Sequence, residues 1–404
     1  MQYWDAFFAF LAAAAVAAVL TPFAARLARR LGAVVIPSAG GLAEHPTPAL
    51  GGLAILAGVL VASLLWLPAT FSLNHTLGTA PGAGGTVHTW AIIAGACLIA
   101  LVGAVDDIRP LTPLVKLLGQ IAAALIAVTA GHAVVTDITI PFTGTTLQLP
   151  NTGGVLTVIW LVGLMNVVNF SDGVDGLAAG LCTIDGVAFS IIAFDLNVGG
   201  AGVLAALTAG AALGFLFHNF YPASVFMGDS GANLLGYLLG VVAVVGSVKT
   251  GAVVTLVLPL ILLAVPFLDT GFVVAKRLKY RRKPWSHDLN HFHHRMARMG
   301  FSQRRTVAYL YGWTLMLAGV AIALRFVPYS NHHGVYHWGW VVVMAVIGLV
   351  ALAASVYLIY LLEILKFKRR RSRELRTADP ATSEHEIDER VQREVETGEF
   401  ERVG

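Results

Sequence analysis

Eleven apolar stretches of membrane-spanning length, or slightly under it, run along this chain and limit its fold more than any motif does. They lie at about 4–27, 50–68, 89–105, 114–133, 154–169, 177–194, 199–217, 231–247, 251–275, 307–327 and 338–365. A helix needs roughly 20 apolar residues to cross the hydrocarbon core of a bilayer. Backbone amides and carbonyls have no water to bond there, so such stretches become helices. The chain is therefore read as an all-α integral membrane protein, a polytopic bundle of about eleven transmembrane helices. An odd count puts the two termini on opposite sides.

Charge gives the direction. The 404 residues are 57% hydrophobic and only 12% charged, against about 25% charged in soluble domains. With the N-terminus outside, the cytoplasmic pieces are 28–49, 106–113, 170–176, 218–230, 276–306 and the tail from Lys366. All but two of the 27 Lys and Arg then lie inside, Lys249 and Arg325 being the exceptions. Lys and Arg enrichment marks cytoplasmic loops, so the N-terminus faces out and the C-terminus in. The net charge of +4 follows from this bias and points to a lipid bilayer, not to nucleic acid. The first apolar run is too long for a signal peptide and has no basic leader, so it is read as a retained helix. One transmembrane domain covers 1–368, and a charged cytoplasmic tail covers 369–404. A basic run from Lys366, KFKRRRSRELR, leads into the tail and suits anionic lipid. Outside, residues 134–153 suit a short hairpin. His332, His333 and His337 fit a solvated loop better than a metal site, because no carboxylate or cysteine accompanies them. Cys97 and Cys182 are read as buried small hydrophobes.

Four polar clusters fall on the cytoplasmic side. The densest is NVVNFSDGVDGLAAG from Asn166 to Gly180. Asn166, Asn169, Asp172 and Asp175 at a membrane edge are costly and mark a functional site by default, while Gly173 and Gly176 let the backbone approach a ligand. A polar interfacial turn with caps would need one DG pair, not two carboxylates and two asparagines. The second cluster is Asp106-Asp107, followed by Lys116 and Gln120. Adjacent carboxylates need a cation or a lysine nearby, although Arg109 balancing a helix end would also account for them. The third is Phe226-Met227-Gly228-Asp229-Ser230-Gly231. Asp229 reads equally as a helix N-cap or as a magnesium ligand, a role for which about one or two carboxylates suffice. The fourth is a basic loop holding Asp288, His291, His293, His294 and Arg295. Beside Arg281, Arg282 and Lys283 it suits an anion such as a diphosphate better than zinc, which usually recruits cysteine. A weaker stretch, His45 to Gly52, marks only a turn by itself. Carboxylates, amides, a lysine and histidines on one membrane face describe magnesium-dependent phosphoryl transfer, which is mostly positioning and charge neutralisation.

Taken in order, HPTPxxGG, DDxxxLxxxxKLxxQ, NxxNxxDGxDGLAxG, NxxPAxxFMGDSG, PxxD at Pro266 to Asp269 and DxxHxHH closely resemble the polyprenyl-phosphate N-acetylhexosamine-1-phosphate transferase family, over about His45 to Gly300. The resemblance implies an enzyme of the bacterial plasma membrane with its active site on the cytoplasmic face. It would pass a sugar-1-phosphate from a UDP-sugar to an undecaprenyl or decaprenyl phosphate and release UMP. The His-Phe-His-His spacing looks like the branch that uses UDP-N-acetylglucosamine. The rival within the family is the phospho-N-acetylmuramoyl-pentapeptide transferase, whose members tend to carry three consecutive histidines. A secondary transporter is the rival from another class; its acids would sit near the bilayer midplane.

By the same resemblance, Asp229 would be the principal ligand of Mg²⁺, or of Mn²⁺ in its place, with Asn169 close to the same ion. Lys116 would meet the diphosphate, and Phe226 would stack on uracil beside Gly173 and Asp175. Asp106 would lie nearest the lipid phosphate, with Asp107 and Asp172 shaping the metal surroundings. His291, His293 and His294 would hold the donor phosphates, with Asn166 and Arg295 among the substrate contacts. A homodimer is compatible with this reading. Leu42-Ala43-Glu44 depart from the basic residues that many members carry there.

Overall fold

The computed structural model describes residues 1–36, 45–72, 85–139, 146–150, 152–246, 259–268, 270–271, 302–328, 337–378, 386–387 and 389–391. Ten helices are named here in chain order: α1 (Tyr3–Leu31), α2 (Gly51–Trp66), α3 (Thr89–Ile108), α4 (Pro113–Thr129), α5 (Gly153–Ser171), α6 (Leu177–Asp195), α7 (Gly199–Asn219), α8 (Gly228–Gly246), α9 (Gln303–Phe326) and α10 (Trp338–Ala378). Residues 259–262 and 264–268 are also helical.

Among the described residues, eight helices are long and apolar enough to cross a membrane. α2 and α4, at 16 and 17 residues, are shorter than the expected spans. α2 stops one residue before Leu67-Pro68, since the residue preceding a proline leaves helical geometry. α4 starts with Pro113 as its first helical residue, where the missing N–H costs nothing. Most of the stretch 251–275 lies outside the described residues. The hairpin expected within 134–153 is present as β5 (Asp137–Thr139) against β6 (Thr146–Gln148). An equivalent hairpin that charge alone did not signal pairs β3 (Thr70–Ser72) with β4 (Thr86–His88).

α8 is the hub, packed against α2, α3, α5, α6 and α7. Its Tyr237 is fully buried, and the hydroxyl donates to Ile92 O of α3 at 3.1 Å. α1 and α10 lie at the rim, with Phe7, Phe23, Val346 and Leu349 exposed as lipid-facing side chains would be. Hydrophobic burial gives little drive between helices in lipid, so close contact depends on small residues. α1 supplies a buried stripe of Ala6, Ala9, Ala13 and Ala17. α7 answers with Gly210 and Gly214, where a Cβ would run into the backbone at Phe10 and Ala14.

One close approach decides how the site is built. The first two amides of α2 donate across to the loop before α8: Gly51 N to Phe226 O at 3.0 Å and Gly52 N to Met227 O at 2.9 Å. Phe226 N in turn donates to Pro48 O at 2.8 Å. Thr47–Pro48 is itself β2, paired with β1 (Val34–Val35). The HPTP-to-GG stretch is thus a cradle for the FMGD loop. A Cβ on Gly52 would collide with the backbone of Gly231. Gly52→Ala is therefore expected to cost at least about 1–3 kcal/mol through overpacking, read as a lower aggregation temperature of the detergent-solubilised protein. An unchanged temperature would contradict this packing.

Candidate active site

α1, α3, α5 and α7 end where α2, α4, α6, α8 and α9 begin. That alternation brings every polar cluster within the described residues to one end of the bundle. Asp106 and Asp107 close α3, Lys116 opens α4, and Asn169 and Asp172 close α5. Asn219 closes α7 and Asp229 opens α8. About two turns into α9, the Tyr311 hydroxyl donates to Gly176 O at 2.5 Å.

Two oxygens of one carboxylate organise the centre. Asp229 Oδ2 accepts from Lys116 Nζ at 2.7 Å, and its Oδ1 accepts from Asn169 Nδ2 at 3.0 Å. Lys116 Nζ also lies 2.5 Å from Asp106 Oδ2, so one ammonium bridges two carboxylates. The second oxygen of Asp106 accepts from Leu111 N at 2.7 Å. Asp107 is used differently. Its Oδ1 accepts from Asp229 N at 2.7 Å and its Oδ2 from Ser230 N at 3.1 Å. It therefore caps the α8 N-terminus from another helix, meeting the orphan amides and the positive dipole end together. Gly228, at φ +70°, makes the turn into α8; a side chain there would press on Ala49 O and the Asp107 carboxylate.

A cavity of about 330 Å³ opens beside this centre. Its acidic wall is Asp107, Asp172, Asp175 and Asp229, joined by Asn169 and Asn219; Phe226 and the apolar Val35 and Ile36 supply the opposite character. Burial, and then the charges of Asp229, Asp107 and Asp175, push the Asp172 carboxyl up from 3.8 to about 8. Four acids around one space call for a cation. Among the described residues no three or more His, Cys, Asp or Glu form a metal cage. Asp229 with Asn169 nonetheless fits Mg²⁺, which typically takes one or two protein carboxylates and completes its shell with water and substrate phosphates.

The loops are tied to each other as well as to the helices. Asn219 accepts from Gly176 N at 3.0 Å and donates to Val225 O at 3.0 Å. Asp175 Oδ2 accepts from Ala223 N at 2.9 Å. The DGVDG turn and the FMGD loop are thereby held as one wall. Gly173, Asp175 and Phe226 all line the cavity. Asn166 does not line it; its Nδ2 donates to Gln120 Oε1 at 2.9 Å and Val162 O at 2.8 Å. Asp106 and Lys116 line a smaller recess with Gln120, Asp229 and Asn233. His291, His293, His294 and Arg295, with Asp269, lie outside the described residues. Sequence reading missed Asn233, the capping work of Asp107 and the staple made by Asn219. Asn233 did carry a signal: an amide inside an apolar run, one helical turn beyond Asp229.

Apolar helices closing around a polar cleft at one end define an integral membrane protein. Residues 89–247 match the profile of glycosyl transferase family 4. The chain is 38% identical over 339 residues to the decaprenyl-phosphate N-acetylglucosaminephosphotransferase of Mycolicibacterium smegmatis, covering 77% of this chain and 81% of that protein. It is 33% identical over 319 residues to the probable undecaprenyl-phosphate N-acetylglucosaminyl 1-phosphate transferase of Bacillus subtilis, covering 78% and 84%. It is also 33% identical over 329 residues to the phospho-N-acetylmuramoyl-pentapeptide-transferase of Moorella thermoacetica, covering 76% and 94%. The chain belongs to glycosyl transferase family 4 and is a transferase.

Proposed function

We propose that this protein transfers N-acetylglucosamine-1-phosphate from UDP-N-acetylglucosamine to a polyprenyl phosphate, undecaprenyl or decaprenyl, with release of UMP. The observation that carries the proposal is the convergence of Asn169, Asp172 and Asp229 on one cleft, with Lys116 bonded to Asp229 from the adjoining recess. A sugar nucleotide and a lipid phosphate can meet there without either leaving its own phase. The relatives named for N-acetylglucosamine transfer, and the His-Phe-His-His spacing, support the donor.

The cleft faces the cytoplasm of a bacterial plasma membrane, and the chain crosses eleven times with its N-terminus outside. Support comes from α8 and α9. α8 runs away from the cleft to Gly246 and α9 starts on the cleft side, with Arg304 over the Tyr221 ring, which fits the span expected at 251–275. The distribution of Lys and Arg sets the direction.

Mg²⁺, replaceable by Mn²⁺, would neutralise charge on the diphosphate. Asp229 and Asn169 would hold it, and a cation there would favour the charged form of Asp172, which burial and the neighbouring acids otherwise oppose. Lys116, oriented by Asp106, supplies positive charge beside the reacting phosphates. Asp107 fixes the α8 terminus on which Asp229 stands. Phe226 offers its ring to uracil, with Gly173 and Asp175 alongside. His291, His293, His294 and Arg295 hold the donor phosphates. The acceptor phosphate, with a second pKa near 6, is mostly a dianion at neutral pH and needs no base. One of its oxygens attacks the sugar-bearing phosphorus directly; the bond to the bridging oxygen breaks and UMP leaves. No burst of UMP is expected without acceptor, and a stoichiometric burst would demand a covalent enzyme intermediate instead.

The testing experiment is a detergent assay of UMP release with polyprenyl phosphate and magnesium. UDP-N-acetylglucosamine and UDP-N-acetylmuramoyl-pentapeptide are supplied in parallel. Release with the first alone is expected. Release with the second alone would keep the chemistry and overturn the substrate.

A further inference from the structure

Behind the three groups at the centre lies a second, uncharged layer that repeats them one helical turn deeper. Asn166 stands three residues before Asn169 on α5, Gln120 four residues after Lys116 on α4, and Asn233 four residues after Asp229 on α8. Residues three or four apart share a helix face, so each helix sends one residue to the cleft and one to the layer below. Gln120 and Asn233 are buried, each with 5% of its surface exposed.

Their hydrogen bonds run in one direction. Asn233 Nδ2 donates to the backbone oxygen of Asp229 at 2.8 Å. That leaves Asn233 Oδ1 to accept from Gln120 Nε2 at 2.8 Å. Gln120 Oε1 then accepts from Asn166 Nδ2 at 2.9 Å, and Asn166 also reaches Val162 O on its own helix. The chain of amides therefore fixes the axial register of α4, α5 and α8 against one another. A slip of any one helix would break a bond here and move Lys116, Asn169 or Asp229 at the surface of the cleft. Being neutral, the layer does this without adding charge beside the acids.

We propose that Gln120 and Asn233, linked through Asn166, are positioning residues that hold Lys116, Asn169 and Asp229 in the arrangement the cleft needs. The inference rests on the function proposed above. Supports that orient a metal ligand from behind typically matter by about 10–100-fold in metal affinity or activity.

The test uses the full-length protein in detergent with Asn233→Leu, Gln120→Met, the double variant, and the swapped pair Gln120→Asn with Asn233→Gln. Three quantities are measured: Mn²⁺ affinity by electron paramagnetic resonance without substrates, kcat against donor KM, and aggregation temperature. Each single variant is expected to weaken Mn²⁺ binding and lower kcat by about tenfold or more, with donor KM within about twofold. The double variant should lose less than the two singles combined, because both singles already remove the shared Gln120–Asn233 bond. The swapped pair should recover part of the loss, and Asn233→Gln alone should not. If Asn233→Leu does not assemble, Asn233→Ser replaces it with the same expectations. Mn²⁺ affinity and kcat close to wild type in either single variant would overturn the inference. So would losses that track aggregation temperature alone and that the swap leaves unrelieved. Wild-type protein that transfers nothing would instead overturn the proposed function, and this inference with it.

Discussion

Asp229→Asn is expected to lower transfer by about three orders of magnitude or more while the protein still assembles. The substitution keeps size and removes one charge. In the structure that charge meets Lys116 at 2.7 Å and Asn169 at 3.0 Å. Its backbone N–H stays on Asp107, and its backbone oxygen stays on Asn233, so the start of α8 remains anchored. What is lost is the carboxylate that would hold the cation, and with it the preorganised charge that usually supplies the largest part of such catalysis. The check is steady-state UMP release alongside size-exclusion behaviour. Activity within about tenfold of wild type would remove Asp229 from the centre of the account.

Lys116→Met is expected to follow with a loss of about 10²–10³-fold, the usual effect of removing one preorganised charge. Here one ammonium bridges Asp106 and Asp229. Without it the two carboxylates face each other across the recess with no cation between them. The side chain keeps about a third of its surface exposed, so solvent softens the effect on stability below the roughly 3–5 kcal/mol of a fully buried broken pair. Lys116→Arg separates charge from shape. A planar guanidinium does not replace a compact ammonium between two oxygens, so partial activity is expected. Full activity in Lys116→Met, measured as kcat under saturating magnesium, would contradict the bridging role.

Much of this was legible in the sequence, for identifiable reasons. Helix positions followed because lipid leaves the backbone no other way to satisfy its polar groups. The meeting of Asp106, Lys116, Asn169 and Asp229 at one end followed because successive crossings alternate direction. Two ambiguities in the local motifs were resolved only by the fold. Asp107 stood beside Asp106 with nothing to separate them, yet one neutralises Lys116 while the other caps α8. The HPTP-to-GG stretch read as a turn, because its partner, the Phe226 loop, lies far away in sequence. Asn166, expected among the substrate contacts, bonds Gln120 on the neighbouring helix. One residue sets the helical phase of its neighbour, and 166 and 169 point to adjacent layers. Pairings between helices leave no mark on the local pattern, and the two bonds of Gln120, to Asn233 and from Asn166, are such pairings.

The most direct test of the central claim follows a phosphorus atom. UDP-N-acetylglucosamine labelled with ³²P at the sugar-bearing phosphate is incubated with polyprenyl phosphate, magnesium and the purified protein. Transfer of sugar-1-phosphate carries the label into the lipid phase and leaves unlabelled UMP in the water, and Asp229→Asn should abolish both. Label remaining in the aqueous phase as UDP, with sugar alone in the lipid, would contradict the account.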